Sequence, residues 1–202
     1  MCLAFVSVAL FRHGHAASVA ALALMVVAIW LDAVDGYVAR RSGRSTDAGA
    51  AFDIAADRVV ENVYWIFFAV AGLITFWIPM IVIARGCLTD FLRGLAFKQG
   101  QTAFGEKTMM QTWLGRMLTG SRLSRAAYGI VKCAAFFALG ARIVLDEAPQ
   151  WRAMLAAGIV QGLQFSALAL AIAAVAFCVI RGVPVIVEGL RFFRKTPALT
   201  IQ

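Results

Sequence analysis

Four aspartates sit where a strongly apolar chain should tolerate few. Asp32 and Asp35 interrupt the end of one apolar run, and Asp53 and Asp57 open the next. On insertion scales an aspartate at the centre of a membrane span costs about 2.5–3.5 kcal/mol, so four of them require a polar cavity or a cation. Asp32 and Asp35 are spaced i,i+3 and Asp53 and Asp57 i,i+4, so on helices each pair shares one face. The polar turn Arg41-Ser-Gly-Arg-Ser-Thr46 between them predicts antiparallel neighbouring helices whose acidic faces can meet. Four carboxylates in one pocket cannot all ionise without counter-charge. Divalent cations supply it, and all-oxygen ligation selects Mg²⁺, Mn²⁺ or Ca²⁺ over zinc. Two such ions about 3.5–4 Å apart would form a clamp for phosphoryl transfer. The competing reading pairs the acids with arginines such as Arg40 and Arg58. It leaves unexplained the small residues in the same register: Gly36 and Ala39 on the Asp35 face, and Gly49 one turn before Asp53. These clear room for a ligand or for close helix packing.

The elements that must carry these acids follow from composition. The chain has 202 residues, of which 62% are hydrophobic and only 15% charged, against about 25% charged in an ordinary soluble domain. With a mean hydropathy of +0.82, this excludes a disordered tail, a collagen-like fibre and a conventional soluble enzyme. A transmembrane barrel is excluded too, because its strands alternate polar and apolar residues. The expectation is an all-α, polytopic membrane helix bundle forming one compact domain over residues 1–202. Apolar runs place spans at Ala16–Leu31 (continuing through Val38), about Ala48–Leu73, about Phe76–Phe97, Ala126–Leu145 and Met154–Ile180. Pro79 falls in a first helical turn, where proline is tolerated. Met1–Phe11 is apolar but would rise only about 16 Å, so it reads as the second half of a first, truncated span. A signal peptide is the weaker reading of that segment, since it lacks a basic start and leads straight into another span. Six membrane segments are therefore expected.

Charge sets their orientation. Arg40, Arg41 and Arg44 follow the second span. Lys98, Lys107, Arg116, Arg122 and Arg125 lie between the fourth and fifth, and Arg181, Arg191, Arg194 and Lys195 follow the sixth. The alternate connections carry only Arg12 and Arg152. By the positive-inside rule both termini are cytoplasmic, and so are the acids. The net charge of +8 is then explained by basic loops facing anionic lipid, with no nucleic-acid partner. Cys2, Cys87, Cys133 and Cys178 are too scattered for a zinc site, and His13-Gly-His15 lacks a third ligand.

The run Asp32-Ala-Val-Asp35-Gly36-Tyr-Val-Ala39-Arg40, then Gly49, Asp53 and Asp57 at fixed spacing, resembles the signature of the CDP-alcohol phosphotransferases, integral membrane enzymes of phospholipid synthesis. The motif covers Asp32–Asp57, and the six-span layout extends the likeness more loosely over most of the chain. The resemblance implies displacement of CMP from a CDP-alcohol, usually CDP-diacylglycerol, by the hydroxyl of a small polar acceptor alcohol. It implies Asp32, Asp35, Asp53 and Asp57 as ligands of two Mg²⁺ or Mn²⁺ ions, with Asp57 also the base that deprotonates the acceptor. Gly36, Ala39 and Gly49 would make room for the nucleotide and Arg40 would neutralise its phosphate. It further implies a homodimer in the membrane, the cell inner membrane in a bacterium, with the active site at the cytoplasmic face. Relatives carry a Pro-Asn and a following Arg near the start of the first span, and this chain begins after that point.

A phosphorylated acceptor needs basic residues in its pocket. Arg85 and Arg93 lie eight apart on the fourth span, and an intramembrane arginine is a functional candidate. With Lys107 and Arg116 they form the expected acceptor-binding set. Ile83-Ala-Arg85 and Gly105-Glu-Lys107-Thr108 resemble phosphatidylglycerophosphate synthases, which use glycerol 3-phosphate, although Arg85 precedes Gly86 where those enzymes have Glu. Inositol phosphate or another alcohol remains open. Arg93 can instead pair with Asp90 or snorkel. Met109, Met110, Trp113, Leu114, Met117 and Leu118 recur at helical spacing, which predicts a short interfacial helix. Two readings of another class remain. A cation transporter is disfavoured because the acids cluster at one membrane face, and an inactive membrane scaffold is favoured only by the short start.

Overall fold

The computed structural model describes residues 1–42, 47–98 and 112–195; the side chains at 32, 33, 35–42, 47, 48, 50, 51, 97, 98, 114, 116, 120, 122 and 192–195 lie outside the description. Among the described residues there is no strand. The helices are α1 (Cys2–Leu10), α2 (His15–Ser42), α3 (Asp47–Val70), α4 (Trp77–Lys98), α5 (Trp113–Gly115), α6 (Arg122–Asp146), α7 (Pro149–Met154) and α8 (Ala157–Lys195). A single π-helical turn, Arg116–Gly120, joins α5 to the α6 region.

The expected apolar runs are helical over closely matching ranges. By length and composition, Leu123–Asp146 and Ala157–Arg191 could each cross a membrane, and His15–Leu31 is a shorter apolar helix. The sixth run continues as helix well past Ile180, through Pro184, to Lys195. Proline there removes one backbone donor without ending the helix. The interfacial helix expected from Met109 onward differs from its prediction. Residues 109–111 lie outside the described residues, and the remainder is α5 followed by the π turn. The Leu118 carbonyl is taken by Ser124 Oγ at 2.7 Å and Arg181 Nε at 3.3 Å, side-chain partners that compete with a regular ladder.

The chain divides into two compact units, Met1–Pro79 with Lys132–Ile172, and Met80–Val131 with Ala173–Gln202. In the first, α1 packs on both α2 and α3. Ala4 and Ser7 are the buried positions of α1, and Ser7 Oγ donates to the Ala21 carbonyl at 2.9 Å. Small residues let the two backbones approach, and the hydroxyl finds a partner inside. The core seam is aromatic. Phe136 of α6 meets Trp65 edge-on at 4.8 Å between centroids, and it also contacts Tyr64 and Phe68 of α3. α3 ends in a Schellman cap: Leu73 N–H donates to the Phe68 carbonyl and Gly72 N–H to Ala69, with Gly72 at φ +74°. Arg12 Nη1 closes the same helix end on the Ala71 carbonyl at 3.0 Å.

In the second unit, α4 and α8 approach through two glycines. A methyl group on Gly182 would lie 2.6 Å from Arg85 Cγ, and one on Gly189 would lie 3.1 Å from Leu92 Cδ1. Each pair is offset by seven residues on its helix, so one face of α4 rests on a glycine seam of α8.

Candidate functional site

Asp32, Asp35, Gly36, Ala39 and Arg40 lie in the last turns of α2, which runs to Ser42, while their side chains fall outside the described residues. Gly49, Asp53 and Asp57 lie in the first half of α3 and are exposed. On a helix Asp53 and Asp57 have Cβ atoms about 5–6 Å apart, so both carboxylates occupy one stripe. Their chemistry fits a hard divalent cation: oxygen donors on one exposed face. Among the described residues no group of three or more His, Cys, Asp or Glu side chains stands at metal-binding distance, and the side chains of Asp32 and Asp35 lie outside the description. His15 Nδ1 lies 3.1 Å from the Val144 carbonyl, in keeping with a structural use for the His-Gly-His linker.

One turn beyond Asp57 the stripe continues inward with a residue that sequence reasoning missed. Glu61 is only 4% exposed, and its Oε2 faces two cations: Arg58 Nη1 at 3.3 Å and Lys132 Nζ of α6 at 3.5 Å. A carboxylate buried this far along an apolar helix is tolerated only when paired. The signal for it was the i+4 series Asp53, Asp57, Glu61, which stays acidic after the helix has become apolar.

The second unit gathers cations. Arg85 comes from α4, Arg125 from α6 and Arg181 from α8. Arg181 is 8% exposed; Arg85 and Arg125 stand close enough for their charges to act on it. Its guanidinium lies 5.5 Å from the centre of the Tyr128 ring, and its Nε donates to the Leu118 carbonyl. Arg85 lies across Gly182, and its Nε is buried with no hydrogen-bond partner among the described residues. Arg181 is buried and Arg85 partly buried, and like charges held near each other there would be eased by an anion. The arrangement can therefore receive a phosphate, to which a guanidinium offers paired donors.

Of the expected acceptor residues, Arg85 belongs to this cluster. Arg93 is 4.0 Å from Asp90 on its own helix, the pairing foreseen as its alternative. Lys107 and the side chain of Arg116 lie outside the described residues. Arg125 and Arg181 were read only as loop charges that orient the chain. What hid Arg181 was the apparent end of the apolar run at Ile180; the helix in fact carries on to Lys195.

Comparison with known proteins agrees with the motif. The model of the CDP-alcohol phosphatidyltransferase family matches residues 1–155. An archaetidylinositol phosphate synthase of Aeropyrum pernix is 35% identical over 94 residues, 45% of this chain and 46% of that protein. A protein of Mycobacterium tuberculosis provisionally named a cardiolipin synthase is 29% identical over 116 residues, 57% of this chain and 52% of its own. Another from that organism, provisionally named a phosphatidylglycerophosphate synthase, is 27% identical over 107 residues, 53% of this chain and 48% of its own. The chain spans about half the length of these curated relatives. With more than half of its residues matched by the family model, and the Asp32–Asp57 signature inside the matched region, the chain belongs to the CDP-alcohol phosphatidyltransferase family.

Proposed function

We propose that the chain is an integral membrane enzyme that transfers a phosphatidyl, or related phospho-alcohol, group from a CDP-alcohol to a phosphorylated acceptor alcohol and releases CMP. CDP-diacylglycerol is the donor and glycerol 3-phosphate the first acceptor to test, in phospholipid synthesis at the cytoplasmic face. The observation that supports the acceptor class is the buried Arg181 with Arg85 near it, whose buried Nε has no hydrogen-bond partner among the described residues. A neutral alcohol would give such a cluster nothing to neutralise.

In this reading Asp32, Asp35, Asp53 and Asp57 would hold two Mg²⁺ or Mn²⁺ ions. When bound, the ions would orient the pyrophosphate and offset charge on departing CMP. Asp57 accepts the proton of the acceptor hydroxyl as its oxygen bonds to the lipid-side phosphorus and the bond from that phosphorus to the CMP oxygen breaks. Arg40 neutralises the nucleotide phosphate, and the small residues Gly36, Ala39 and Gly49 leave room for it. Arg85, with Arg125 and Arg181, binds the acceptor phosphate. Arg93, Lys107 and Arg116 remain further acceptor candidates. The protein works as a homodimer, with its lipid substrate held in the bilayer.

An inositol phosphate acceptor is the second reading, favoured by the name of the Aeropyrum relative. The test is CMP release by purified protein given CDP-diacylglycerol, Mg²⁺ and either glycerol 3-phosphate or inositol phosphate. Release with one acceptor and loss of release in Asp57→Asn are expected. Release that needs no phosphate on the acceptor would overturn the acceptor class, and full activity of Asp57→Asn would overturn the base.

A further inference from the structure

We infer that Glu61 and Lys132 form a positioning clamp, an ion pair between α3 and α6 that fixes the rotation at which α3 presents Asp53 and Asp57. The inference rests on the reading of those two aspartates as metal ligands. Glu61 stands one turn beyond Asp57 and two beyond Asp53, so any rotation of α3 that moves Glu61 moves both aspartates with it. Its carboxylate is buried and meets Lys132 Nζ at 3.5 Å, while Arg58 Nη1 reaches it at 3.3 Å from the same helix.

The rest of the α3–α6 seam does not set rotation as strictly. It consists of Tyr64, Trp65 and Phe68 around Phe136, which lies one turn along α6 from Lys132. Ring contacts are worth much the same over a range of tilts. In a bilayer, moreover, apolar contact between helices is barely preferred to contact with lipid tails. An ion pair in a medium of low dielectric is different: it is strong, and losing Lys132 takes from the buried Glu61 carboxylate the cation that ties it to α6. The charged end of the seam is also the end nearer the acids. Held by two cations, Glu61 adds little negative charge to the stripe it continues, so it serves the ligands by placement and not as a fifth donor.

The test uses the full chain purified in detergent and titrated with Mn²⁺ alone, read by electron paramagnetic resonance, with thermal unfolding measured in parallel. Lys132→Met and Glu61→Gln should each weaken Mn²⁺ binding by about ten-fold, the lower end of the usual effect of losing a residue that orients a ligand. Lys132→Arg, which keeps the charge, should stay within about three-fold of the parent. Phe136→Leu should lower the unfolding temperature and leave Mn²⁺ affinity unchanged, because it loosens the seam without touching the pair. If Glu61→Gln does not fold, the Lys132 variants carry the comparison. Lys132→Met binding Mn²⁺ as tightly as the parent would overturn the clamp alone. A parent chain that binds no Mn²⁺ would overturn the metal reading, and the clamp with it.

Discussion

The two compact units handle buried charge in opposite ways. In the first, Glu61 is buried and answered: Arg58 and Lys132 both reach its Oε2. In the second, Arg181 is buried within reach of the charges of Arg85 and Arg125, and it meets the Leu118 carbonyl and the Tyr128 ring. Glu188, the buried acid of this unit, is engaged with the Thr112 backbone N–H and hydroxyl. A group in which opposite charges meet can hold a fixed arrangement without a ligand. A one-signed group is costly alone and relaxes when a counter-ion arrives. The first is therefore read as placement of helices and the second as a place for an anion.

That contrast fails most visibly if the basic group can be dismantled without consequence for the acceptor. Arg181→Leu removes its most buried member and should lower kcat/KM for glycerol 3-phosphate by roughly 30- to 5000-fold, because truncating one partner of a desolvated charge pair costs about 2–5 kcal/mol. The KM for CDP-diacylglycerol should hold within about two-fold. An equal loss toward both substrates would mean that Arg181 only supports the fold. Arg85→Lys keeps charge and stem but loses the guanidinium fork, and should raise the acceptor KM by about ten-fold. Gly182→Ala acts on the same arginine indirectly. Its new methyl would stand 2.6 Å from Arg85 Cγ, so the stem must swing aside. We expect a rise in acceptor KM of about three- to ten-fold, the kind of loss that misplacing a binding group produces. All three are read from steady-state CMP release with one substrate varied at a time.

The legible part of this molecule was whatever repeats or costs energy locally. Apolar runs marked α2, α3, α4, α6 and α8 to within a few residues at most of their ends, because a helix long enough to enter a bilayer must be apolar along its length. The acids at 32, 35, 53 and 57 were legible because each is expensive where it stands. What escaped was produced by tertiary contact. No spacing rule relates Lys132 to Glu61, which are 71 residues apart and meet because α6 packs on α3. Arg181 carries the same letter as a loop charge, and only its burial separates the two uses. The π turn at Arg116–Gly120 was hidden for a similar reason, since the Leu118 carbonyl is claimed by side chains from α6 and α8.

The smallest expected effect probes the first unit away from any charge. Gly140 of α6 faces α2 and the residue that follows α1: a methyl there would lie 2.9 Å from Leu22 Cδ1, 3.1 Å from Met25 Cε and 3.3 Å from Phe11 Cζ. All three are the ends of side chains and can give way, although Met25 is fully buried and has little free space to move into. Gly140→Ala should therefore destabilise by about 1 kcal/mol, the lower end of the usual cost of overpacking, partly offset by the better helix propensity of alanine. Thermal unfolding in detergent should show a fall of a few degrees, on the order of 2–4 °C per kcal/mol for a chain of this size. Neither KM should change, because the contact orders helices without touching an acid of the α3 stripe or an arginine of the second unit. A change in acceptor KM from this substitution would mean that packing in the first unit reaches the anion site. The division between placement and binding would then have to be redrawn.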